Sequence, residues 1–154
     1  MTKNRWYLIF CILVCAAIFL LIHAFTKPHF KITKLEKEDY KYAYEEIDKT
    51  KLQEMIDDKK SFIIYTYNAY CSFPVPCKDI FLNGAKELNV KLYGIPFDES
   101  KSIIGLDYGP SVVIFNNGKR MTYLDPELDE DIDRFQKTNS FVEWIKVYVE
   151  IKEE

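Results

Sequence analysis

Two cysteines, Cys71 and Cys77, bracket a proline-bearing loop, Cys71-Ser72-Phe73-Pro74-Val75-Pro76-Cys77. They are the only cysteines outside an apolar N-terminal stretch that holds Cys11 and Cys15. An isolated pair at short spacing outside the cytoplasm is a disulfide candidate. A cysteine thiolate is also a nucleophile, and a helix N-terminus favours the thiolate form. Three uses of the pair stand side by side: a reversible, catalytic disulfide, a static staple, and a pair of metal ligands. The staple contributes little to stability, because the loop that it closes is short. The metal use lacks companions, since a tetrahedral site needs further His or Cys ligands. The only histidines, His23 and His29, lie in or beside the N-terminal stretch, so no metal and no cofactor is expected. Pro74 and Pro76 stiffen the loop and remove two amide donors.

The elements around the pair have a legible order. Tyr40-Lys41-Tyr42-Ala43-Tyr44 alternates with period two, which predicts a half-buried first strand. Thr50-Lys51-Leu52-Gln53 fits a capping box, and Ile47, Leu52, Met55 and Ile56 lie near one helical face. Ser61 to Tyr67 is apolar on both faces at its start, as at the centre of a sheet. After Cys77, Ile80, Phe81, Ala85 and Leu88 make a helical stripe, with Pro76 suited to its first turn. Asn89 to Ile95 reads as a strand, Phe97 to Tyr108 as a short connection, and Ser111 to Phe115 as a strand. Asn116-Asn117-Gly118 is a hairpin signal, completed by Lys119 to Leu124. Asp125 to Asp133 is acidic. It has no glycine bend and no calcium-loop spacing, so it reads as a solvated charge run. Ser140-Phe141-Val142-Glu143 is a second capping box, before a helix with Phe141, Trp144, Ile145 and Tyr148 on one face. Strands that alternate with helices should be joined by parallel crossovers. The fold class is therefore α/β, a mixed sheet with helices on both faces.

Two segments in this order carry a resemblance. Ala69-Tyr70-Cys71 and Pro76-Cys77-Lys78 look like the aromatic-Cys-Gly-Pro-Cys-Lys site of the thioredoxin-like family. Tyr108-Gly109-Pro110-Ser111-Val112-Val113-Ile114-Phe115-Asn116-Asn117-Gly118-Lys119 resembles the family segment in which a cis-proline precedes the hairpin. Together with the element order, the resemblance spans about residues 40–152. It implies a thioredoxin-like mixed β-sheet flanked by helices. It also implies that Cys71 attacks a substrate disulfide, that Cys77 resolves the mixed disulfide, and that Gly109 and Pro110 meet the substrate backbone. The chain departs from the family pattern in its spacing. If Cys77-Lys78 is aligned with the second family cysteine, Pro74 occupies the nucleophile position. Ser61 to Tyr70 also holds no Asp or Glu where the family often keeps a proton acceptor.

Trp6 to Phe25 runs for 20 residues without a formal charge, long enough at 1.5 Å per residue to cross a hydrocarbon core of about 30 Å. Ile22-His23-Ala24 is a poor cleavage site, which favours an uncleaved anchor over a signal peptide. Cys11 and Cys15, at i and i+4, read as packing residues within it. The chain then divides into a tail at 1–5, a transmembrane anchor at 6–25, a linker at 26–39 and a thioredoxin-like domain at 40–154. Lys/Arg flanks are nearly balanced, and the short N-terminal tail places the domain outside the cytoplasm. Residues 1–35 hold five Lys/Arg and no Asp/Glu, so the remainder carries 16 against 24, a formal charge of −8. Nucleic acid is excluded as a partner, because phosphate binding needs a basic surface. The expected function is thiol–disulfide exchange on extracytoplasmic proteins by a single-pass cell-membrane protein. Its partners would be protein thiols or disulfides, and the lipid bilayer through residues 6–25. The alternative is a non-enzymatic thioredoxin-fold adaptor for a membrane or secretion partner, as in bacteriocin transport.

Overall fold

Short β-branched and aromatic runs supply the strands, and each run is buried according to its place in the sheet. The computed structural model of the chain describes residues 32–68 and 73–152, within one compact unit from Ile32 onward. The expected tail, the anchor at 6–25, Cys11, Cys15 and Cys71 lie outside the described residues. Among the described residues no helix is long and apolar enough to cross a membrane.

The strands are β1 (Ala43–Glu46), β2 (Phe62–Tyr67), β3 (Lys91–Pro96), β4 (Ser111–Asn116) and β5 (Lys119–Tyr123). They form a 5-stranded sheet in the order β1-β3-β2-β4-β5. The pairs β1–β3 and β2–β3 are parallel, as the crossovers require, and β2–β4 and β4–β5 are antiparallel. The helices are α1 (Lys49–Asp57), α2 (Cys77–Glu87), α3 (Phe97–Ile104), α4 (Asp129–Gln136) and α5 (Thr138–Tyr148).

Alternation along the strands splits the core in two. Ile63, Tyr65, Leu92, Val112 and Ile114 face Phe81, Phe135, Phe141 and Trp144 of α2, α4 and α5. Phe62, Ile64, Tyr93, Ile95 and Val113 face Leu52, Met55, Phe97 and Ile104 of α1 and α3. One central sheet thus buries both faces, which is why β2 and β4 are apolar almost throughout. The hairpin tip is seated from outside. Gly118 donates its N–H to Lys60 O at 2.8 Å and adopts φ +71°. A Cβ at Gly118 would collide with the Ile56 carbonyl.

Several boundaries differ from the sequence reading. The first strand begins at Ala43 rather than Tyr40, because residues 37–39 form a 3₁₀ turn and the Tyr40 hydroxyl accepts the Leu35 N–H. The stretch expected as linker is part of the fold from Ile32. Thr33 bridges Val149, Glu36 accepts the Ser61 N–H, and buried Asp39 accepts the Tyr93 hydroxyl at 3.0 Å. Asp48, not Thr50, caps α1 by accepting the Lys51 N–H at 2.8 Å. No side-chain cap starts α5, which begins at Thr138 before the expected Ser140 box.

Two helices stand where none was expected. Within the expected connection Phe97 to Tyr108, α3 follows Pro96, buries Phe97, Ser100 and Ile104, and ends on left-handed Gly105. The acidic run is also not simply solvated. Its second half is α4, in which Asp131 is buried, accepts the Asp125 N–H at 2.8 Å and pairs with Arg134.

Candidate functional site

The carboxyl ends of β1, β3 and β2 meet at one edge of the sheet, and α2 starts there. Cys77 is its first residue. Its side chain is fully buried in the α2-side core. Pro76 precedes it without a side-chain cap, so the first-turn amides are left to other partners. Cys77 is disulfide-bonded. No other cysteine lies among the described residues, so its partner sulfur is outside them.

The proline loop rests on the helix that the sequence reading missed. Phe73 stacks on Phe135 of α4 with ring centroids 5.0 Å apart, and Phe135 in turn meets Phe81 of α2 edge-on at 5.5 Å. Pro74 and Val75 stand exposed beyond that stack. An aromatic at position 73 and another at 135 were both visible in the sequence. Their pairing was not, because nothing marked Phe135 as helical.

The second sequence-predicted segment closes the same edge. The Gly109–Pro110 peptide is cis. Pro110 is buried and Gly109 half-buried. Asn68, the residue after β2, donates its Nδ2 hydrogen to Gly109 O at 2.8 Å and ties the end of β2 to this turn. One residue beyond Pro110, Ser111 N–H donates to Thr66 Oγ1 at 3.2 Å. Gly109 is bare for a packing reason. A Cβ there would lie 2.5 Å from Phe97 Cδ2 and 2.7 Å from its Cγ. The ring of α3 fills the space that a side chain would take.

The electrostatics of this edge come from tyrosines and carboxylates. Burial pushes the Tyr65 hydroxyl up to about 12, helped by Tyr67 and Asp79. Tyr67 is also raised, by burial first and then by Glu46 and Glu99. Both hydroxyls therefore stay protonated through neutral pH. Lys78 Nζ sits 4.7 Å from the Tyr44 ring centroid and 3.7 Å from Glu46 Oε1, an aromatic and anionic seat for its charge. Asp39 has its pKa raised by burial but lies in the separate α1-side layer, against Tyr93. Among the described residues no group of three or more His, Cys, Asp or Glu is placed to hold a metal.

No family model matches the chain. No curated protein matches it in sequence either. Solved structures do. Thioredoxin NaTrxh from Nicotiana alata is similar with a TM-score of 0.51 and 16% identity, over 71% of this chain and 96% of that one. Thioredoxin O2 from Arabidopsis thaliana in the oxidised state is similar with a TM-score of 0.48 and 15% identity, over 68% and 94%. A single-site mutant of thioredoxin from Halobacterium salinarum is similar with a TM-score of 0.48 and 16% identity, over 75% and 96%. Likeness at this identity speaks to architecture alone. With the sheet order and the helices on both faces, the Nicotiana alata match shows that the domain has a thioredoxin-like fold.

Proposed function

We propose that the chain is a membrane-anchored thiol–disulfide exchange protein acting on protein thiols or disulfides outside the cytoplasm. In this reading residues 6–25 are the anchor, and Cys71 is the sulfur bonded to Cys77. The observation that carries it is the disulfide at Cys77, on the first residue of α2, at the sheet edge that also holds Gly109 and Pro110.

The exchange conserves atoms and electrons at each step. A substrate thiolate attacks the Cys71 sulfur, a substrate–Cys71 bond forms, and Cys77 leaves as a thiolate that takes up a proton. A second substrate thiolate then attacks the substrate sulfur and expels Cys71. The substrate gains a disulfide, and the protein is left with two thiols. Run backwards, the same steps reduce a substrate disulfide, with Cys71 attacking and Cys77 resolving. The buried Cys77 is shielded from direct attack, which leaves Cys71 as the entry point. Gly109 and Pro110 form the substrate-side wall, with Asn68 holding the Gly109 carbonyl in place.

The test is insulin reduction by the full chain in a neutral detergent with dithiothreitol, beside Cys71→Ser and Cys77→Ser variants. The wild type should accelerate precipitation severalfold and Cys71→Ser should not. A folded wild type no faster than Cys71→Ser refutes the reading. The second reading, a non-enzymatic adaptor for a membrane or secretion partner, draws on the widened cysteine spacing. Partner capture that persists in the Cys71→Ser/Cys77→Ser double variant would favour it.

A further inference from the structure

Among the described residues β5 has a neighbour only on its β4 side. Leu124 N–H donates inward to Val112 O. By the alternation of an antiparallel ladder, the N–H and C=O of Tyr123 face away from β4, toward the open side. Unpaired edge groups are a template for another extended chain.

Beside this edge runs a groove of about 410 Å³ between β5, α4 and α5, lined in part by Tyr123, Leu128, Glu130, Trp144 and Tyr148. Tyr123 and Leu128 are 37% and 47% exposed, and Val147 on the neighbouring turn of α5 is 53% exposed. Leu128 sits at the N-cap of α4 and makes no side-chain cap. A leucine there serves neither the helix end nor the core.

The charge around the groove is negative in excess once ion pairs are removed. Arg134 pairs with Asp131, and Arg120 keeps its charge but is turned to the carbonyls of Ile104 and Gly105, to which it donates. Among the described residues Glu127, Asp129 and Glu130 have no ion-pair partner, and the Asp125 carboxylate accepts only the Glu127 N–H. Acids in a first helical turn complement the helix dipole. That explains Asp129 and Glu130, but neither Leu128 nor the open Tyr123 edge beside them.

We infer that this face docks a cationic, extended segment of a partner protein. The segment adds as a strand along the outer side of β5, with the main chain on Tyr123. An aliphatic or aromatic side chain enters the groove against Leu128 and Trp144, and Lys or Arg side chains meet Glu130 and Asp125. Strand addition supplies main-chain bonds, and the alternating side chains supply selectivity. A second copy of this chain would bring the same carboxylates against themselves, so the charge favours a different, basic partner. The inference is independent of the cysteine pair.

The experiment pans random twelve-residue peptides on phage against the full chain in neutral detergent, without cysteines in the library. Enriched peptides are then titrated by fluorescence anisotropy against wild type, Leu128→Asp and Glu130→Lys. Both positions are exposed, so folding survives each change, and circular dichroism checks it. The expected winners alternate Lys or Arg with β-branched or aromatic residues. They should bind each variant at least tenfold more weakly and slow hydrogen exchange at the Tyr123 amide. No enrichment, winners without cations, or equal binding to Leu128→Asp would each overturn the proposal.

Discussion

Gly109→Ala is the sharpest probe of how the candidate site is held, because one methyl group meets one ring. The added Cβ would lie 2.5, 2.7 and 2.9 Å from Phe97 Cδ2, Cγ and Cε2. Ordinary carbon contacts begin near 3.5 Å, so the ring must retreat by about 1 Å. Phe97 is only 8% exposed and is packed in the layer with Leu52, Ile104 and Leu106. Overpacking of this kind costs about 1–3 kcal/mol. Removing a glycine from the unfolded chain returns about 0.4–1 kcal/mol. The net expectation is a loss of about 1–2 kcal/mol, which lowers a urea midpoint by about 0.5–1 M at common slopes. Phe97→Leu removes the obstructing ring edge. The double variant should therefore be more stable than the sum of its parts by about 1 kcal/mol. Urea unfolding of the full chain in detergent, followed by circular dichroism, measures all four corners of the cycle. Additivity within about 0.5 kcal/mol would refute the steric account, as would a Gly109→Ala variant as stable as the wild type.

Other sites test other parts of the fold. The raised pKa of buried Asp39 means that the folded state binds its proton more tightly than the unfolded chain does. Its contribution is full below the ordinary value of 3.8 and is lost as pH rises through the folded value. The wild type should lose stability relative to Asp39→Asn over that window, and a pH-independent difference in urea midpoints would count against it. Asp131→Ala should cost about 2 kcal/mol, since it strands the Asp125 N–H and the Arg134 guanidinium together. Asp131→Asn should recover part of this loss, because its amide oxygen still accepts the Asp125 N–H. Equal midpoints for Asp131→Ala and wild type would show that the bond is dispensable.

What the sequence disclosed tracks how each element is buried. Phe62 to Tyr65 and Val112 to Phe115 are covered on both faces, so their apolar runs announce strands. Asn117-Gly118 fixes a turn through positive φ at both residues, a local demand that sequence expresses directly. The α3 helix was harder, since its buried middle position is Ser100, bonded back to the Pro96 and Phe97 carbonyls. A serine there erases the apolar stripe, although Pro96, Asp98, Glu99 and Gly105 marked both ends. The α4 helix buries only Asp131 and Phe135, and one of these is a carboxylate. Hydropathy cannot reveal a helix whose inward face is half charged. The resemblance located Cys77 and Pro110 at one sheet edge, but neither Asn68 nor Phe97 belonged to any motif. Their roles exist only through contacts that span the chain.

The α4 helix also bears on how the two functional readings relate. Its inner face carries Phe135, on which Phe73 of the cysteine loop stacks. Its exposed start carries Leu128 and Glu130, at the groove beside β5. This eight-residue helix therefore touches both the loop that would exchange thiols and the face that would dock a basic segment. The two are set on different sides of it, so each can be disturbed alone. A partner strand on the outer side of β5 would lie one strand beyond β4, whose first residue follows Pro110. Docking there would bring the partner close to the cysteine edge without occupying it. The adaptor and exchange readings are then not rivals for one surface. If the proposed exchange takes place, a bound basic segment would raise the local concentration of its own thiols at that edge, and this would add selectivity to a wall that has no side chain of its own at Gly109.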